Sequence, residues 1–63
     1  MTYEEFFNEC YDRFMLGSHW LTMEDAIFVV EGELENNEDW YYCLEDRDWV
    51  EKVAAELLEA VSW

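Results

Sequence analysis

Apolar residues recur along this chain three and four positions apart, the period of an amphipathic helix. Over residues 2–16, Tyr3, Phe6, Phe7, Cys10, Tyr11 and Phe14 fall in one arc, with Glu4, Glu5, Glu9 and Asp12 opposite. Thr2 and Glu5 form a T-x-x-E capping box before this run, and Gly17 suits the position just past its end. Residues 18–21 read as a short connector, and Thr22 can cap a second helix. Met23, Ala26, Ile27, Val30 and Leu34 carry that helix to about Glu35. Phe28 and Val29 lie off this face. Either the helix is central and buried on more than one side, or residues 26–31 are a strand; helix is favoured.

Asn36-Asn37 punctuates the chain, and Trp40, Tyr41 and Leu44 suggest a brief helix after it. Asp48 with Glu51 gives a further capping arrangement. Trp49, Val50, Val53, Ala54, Leu57, Leu58 and Val61 then form one apolar stripe. With no proline and only two glycines, the chain lacks the turn residues that an all-β fold needs at every hairpin. The expected fold is all-α: a compact bundle of three to four short helices around one aromatic-rich core, with residues 1–63 a single domain.

Length makes that core matter. A 63-residue domain buries only about 60% of the surface its unfolded chain exposes, so its stability is marginal. Twelve aromatic residues, four each of Phe, Trp and Tyr, offset this, because each can bury about 150–250 Å². Against this, 17 acids face three basic residues, Arg13, Arg47 and Lys52, for a net charge of −14. Small domains usually carry a net charge of magnitude about 2–8, since excess like charge opposes compaction. A chain short of core thus tolerates a destabilising field.

Candidate chemistry is sparse. His19, the only histidine, has no ligand cluster at metal-site spacing and reads as an exposed or capping residue. Cys10 and Cys43 have no neighbouring base to lower a thiol pKa. Cys10 reads as a small buried hydrophobe, and both thiols are expected reduced, a bridge between them being the lesser alternative. No glycine-rich phosphate loop occurs, and residues 31–36 do not match a calcium loop. No two of the 17 acids are singled out as a catalytic pair. The expectation is a binding protein rather than an enzyme, with no metal or other cofactor. No cationic stretch precedes an apolar run at the start, and the longest apolar run, residues 26–30, is far shorter than the roughly 20 residues of a membrane span. A cytoplasmic setting is expected.

The acids are unevenly placed. Residues 31–51 hold nine of them (Glu31, Glu33, Glu35, Glu38, Asp39, Glu45, Asp46, Asp48 and Glu51) against Arg47 alone. With Glu4, Glu5, Glu9 and Asp12 they make the candidate partner-binding set. Carboxylates one helical turn apart are about 5–6 Å from each other, comparable with the spacing of phosphates along a DNA strand. Averaged over the roughly 4,000–4,500 Å² expected of a protein this size, the acids are sparser than duplex phosphates. Only a focused face would match them. Such a face would repel nucleic acid and anionic membranes and attract a basic protein surface.

In size, glycine scarcity, aromatic content and negative charge, the whole chain resembles the small acidic phage-encoded nucleic-acid mimics, including anti-restriction and anti-CRISPR inhibitors. That resemblance implies an inhibitor, monomeric in the favoured reading, in the cytoplasm of a bacterial host. It would block the DNA-binding surface of a CRISPR or restriction complex, a CRISPR effector being favoured. Trp40, Tyr41 and Tyr42 are candidate aromatic anchors, with core packing the competing reading for Trp40. Two alternatives stand beside this one: an acidic interaction module or antitoxin-like partner docking through an apolar groove, and a merely solvated or salt-adapted surface.

Overall fold

The computed structural model describes residues 1–17 and 21–61, and among these the architecture is all-α. Three helices, α1 (Tyr3–Leu16), α2 (Met23–Glu35) and α3 (Arg47–Val61), pack against one another, and a single 3-10 helix, Tyr41–Glu45, leads into α3. Residues 18–20 of the expected connector, His19 among them, lie outside the described residues.

Helix α1 starts as its sequence dictates. The Thr2 hydroxyl accepts the Glu5 amide at 3.2 Å, and the Glu5 carboxylate accepts the Thr2 amide at 3.0 Å, so two otherwise orphan donors are satisfied reciprocally. Its end differs in detail. Gly17 takes an extended backbone (φ −86°, ψ 164°) rather than a left-handed one, while its amide still donates to the Arg13 carbonyl. Phe6, Cys10 and Phe14 are buried, with Phe7 and Tyr11 packed at the edge of the core.

Residues 26–31 are helical, capped by the Thr22 hydroxyl on the Asp25 amide. The two residues off the expected stripe separate: Val29 is 1% exposed and Phe28 67%. Met23 moves to the surface, so the buried arc of α2 is Ala26, Val29, Val30 and Leu34. That arc faces both α1 and α3.

After α2, the Asn37 side-chain oxygen accepts the amides of Asp39 and Trp40 and turns the chain. The brief helix expected here is the 3-10 helix, which buries Cys43 and leaves Tyr41 and Tyr42 in solvent. The expected cap of the last helix needs correction. Asp46, not Asp48, accepts the Trp49 amide at 3.1 Å, while its carbonyl accepts the Val50 amide. Asp48 sits inside the first turn, where a carboxylate still complements the helix dipole. Val50, Val53, Ala54 and Leu57 complete the core. Cys10 and Cys43 are both buried and free of any disulfide. Burial pushes the Cys10 thiol up to about 12, the Glu33 carboxylate adding to the rise, which disfavours its thiolate.

Candidate functional site: an acidic shell with an aromatic seam

Of the 17 acids, 14 are exposed, Asp25, Glu31 and Glu33 are half-buried, and none is buried. The fold exposes 4456 Å², so carboxylates average one per about 260 Å². Exposed carboxylates stand on every helix and in the α2–α3 connection rather than on one element, and their mean density stays below that of duplex phosphates.

The structure divides the candidate set by what each carboxylate already holds. Glu33 pairs with the Arg13 guanidinium at 3.0 Å and Glu31 with Arg47 at 2.9 Å. Both arginines thereby converge on the C-terminal half of α2, one from α1 and one from α3. Arg13 lies across Gly32, where a Cβ would stand 3.6 Å from its guanidinium carbon. Asp39 holds the Met1 ammonium at 3.0 Å and raises its pKa, mainly through that hydrogen bond; Glu5 adds a smaller push. Glu5 and Asp46 serve as helix caps, and hydrogen bonding to Thr2 holds the Glu5 carboxyl below the usual range. The remaining eight candidates, Glu4, Glu9, Asp12, Glu35, Glu38, Glu45, Asp48 and Glu51, are exposed and make no hydrogen bond or ion pair among the described residues.

Met1 brings one carboxylate of each acidic region, Asp39 and Glu5, near the same ammonium. Its ammonium is bound by Asp39 and feels Glu5, and its carbonyl accepts the Trp40 indole at 3.1 Å, which ties the start of α1 to the connection after α2. Beneath this junction runs an aromatic seam. Trp40 stacks on Trp49 (centroids 6.0 Å apart, 18° between planes) and on Phe6 (6.0 Å, 28°), and Tyr3 meets both tryptophans edge-on. Trp40 is therefore part of the packing, while Tyr41 (58% exposed) and Tyr42 (71%) remain available to a partner.

Two features were missed in the sequence. The Tyr3 hydroxyl donates to the Glu56 carboxylate at 2.7 Å across α1 and α3. Burial, and then this bond, push the phenol's pKa well up, so it stays a donor. Two residues 53 positions apart leave no local pattern to find. The Asp46 cap had a signal, aspartate three residues before Trp49, but Asp48 with Glu51 competed for it.

No three His, Cys, Asp or Glu side chains converge as metal ligands among the described residues, and no described helix is long and apolar enough to cross a membrane. No family model, curated protein or solved structure matches this chain.

Proposed function

We propose that this protein is an acidic inhibitor that mimics nucleic acid and occupies a basic nucleic-acid-binding surface, that of a bacterial CRISPR or restriction complex being favoured. The observation that carries the reading is the eight exposed carboxylates with no partner of their own on a small, already marginal fold. Like charge at this density opposes folding, so its retention favours a use in contact with cations elsewhere. All of the eight but Glu38 ride on helices, so little ordering entropy is lost on binding. Tyr41 and Tyr42, exposed beside Glu45, supply the aromatic contact area that dominates interface energy.

The test is capture from bacterial lysate at low salt, elution by a salt gradient, and competition with duplex DNA. Raising salt from about 50 to about 200 mM should weaken binding at least about tenfold, as counterion release does for DNA itself. Reversing Glu35, Glu38, Glu45 and Glu51 together should abolish it. Affinity that ignores both salt and these reversals rejects the proposal.

A second reading rests on a different observation. Leu16 is 89% exposed and Leu21 63%, large apolar side chains at the end of α1 and just before α2 that suit an ordinary docking module for a basic partner. Replacing Leu16 and Leu21 by Ser would abolish binding in that case, and the four acid reversals would scarcely matter.

A further inference from the structure

A cleft of about 270 Å³, the space of roughly nine waters, opens between α1 and α3. It is lined by Tyr3, Trp49, Lys52, Val53 and Glu56. Its aromatic wall is held rigid: Trp49 is stacked on Trp40 at 6.0 Å, tilted against Phe6 at 5.9 Å and met edge-on by Tyr3 at 6.2 Å. Its carboxylate is also positioned, because the Tyr3 hydroxyl takes Glu56 Oε2 at 2.7 Å while Oε1 makes no hydrogen bond among the described residues. Lys52, one turn before Glu56 on the same helix, forms no ion pair among the described residues and is exposed on a long stem that can swing aside.

A fixed aromatic surface beside a carboxylate with a free oxygen is the chemistry that recognises a planar cation. A guanidinium can stack on the indole while donating to the carboxylate, and an ammonium does the first less well and lacks the planar fork for the second. A net charge of −14 also disfavours an anionic guest. We propose that this cleft receives an arginine side chain of the basic partner, between Trp49 and Glu56. The inference deepens the acidic-inhibitor reading and rests on it. It adds a directional anchor to an otherwise diffuse field, and it selects arginine over lysine.

The probes are octa-arginine and octa-lysine peptides titrated at low salt, read by affinity and by the Trp49 indole resonance in NMR. Octa-arginine should move that resonance and bind more tightly than octa-lysine. Glu56→Gln should weaken octa-arginine about 3–10-fold and narrow its advantage over octa-lysine. Glu24→Gln, which removes the same charge from a residue lining neither this cleft nor the acidic candidate set, should cost less than about twofold. Tyr3→Phe removes the bond that positions the carboxylate but keeps its charge, so it should lower thermal stability and narrow the octa-arginine advantage less than Glu56→Gln does. Equal effects of Glu56→Gln and Glu24→Gln, or a loss of arginine preference in Tyr3→Phe matching that in Glu56→Gln, overturn the cleft assignment and leave the acidic-inhibitor reading standing. Absence of binding by either peptide to the wild-type protein overturns both.

Discussion

The seam between α1 and α3 and the C-terminal half of α2 hold the molecule together in opposite ways. The seam is aromatic: Tyr3, Phe6, Trp40 and Trp49 meet at centroid distances near 6 Å, and Phe6 is fully buried. The α2 region is ionic: Arg13 and Arg47 reach Glu33 and Glu31 from the flanking helices, with both guanidiniums about half exposed. Apolar burial is indifferent to the like-charge field around it, while an exposed ion pair is worth about 0–1 kcal/mol and is screened by salt. Of these two regions, the seam therefore carries more of the stability. The ion pairs do something else: they withdraw two carboxylates from the acidic shell and fasten α2 to its neighbours.

That contrast can be broken from its strong side first. Phe6→Ala should cost about 3–5 kcal/mol, as large-to-small core changes do, enough to unfold much of a marginal 63-residue domain. Urea or thermal unfolding by circular dichroism reads this directly. A loss below about 1 kcal/mol would show that the aromatic seam is not where the stability resides.

Cys10, on the buried face of α1, senses both Glu33 and Arg13, and it sharpens the comparison through pH. Its thiol is raised from an ordinary 9.0 to about 12. The folded state then keeps a proton that the unfolded chain releases. This contribution is complete below pH 9 and is lost as pH rises toward 12. Unfolding free energy measured between pH 8 and about 11 should decline, with a shallower slope in Cys10→Ala.

The smallest effect is expected at the ion pairs. Arg13→Gln should change stability by no more than about 1 kcal/mol in either direction. It should also free Glu33 and so tighten binding to octa-arginine. Stability loss as large as that of Phe6→Ala would erase the distinction between the two regions.

Local physics made much of this protein legible in its sequence. The three helices, the Thr2 and Thr22 caps and the buried stripes of α1 and α3 follow from spacing of three and four residues and from side chains within reach of their own backbone. The net charge of −14 is likewise written in composition alone. Where two local signals competed, as between Asp46 and Asp48, only the realised helix start decided which one caps. The orientation of α2 selected Val29 over Met23 for the core, because a helix touching two neighbours buries an arc set by where they stand. Most of all, the helix crossings decided which acids are already engaged. Glu31 and Glu33 meet arginines 16 and 20 residues away, and Glu56 meets a phenol 53 residues away. Those encounters depend on how helices are placed in space, which no repeating pattern along a single helix contains.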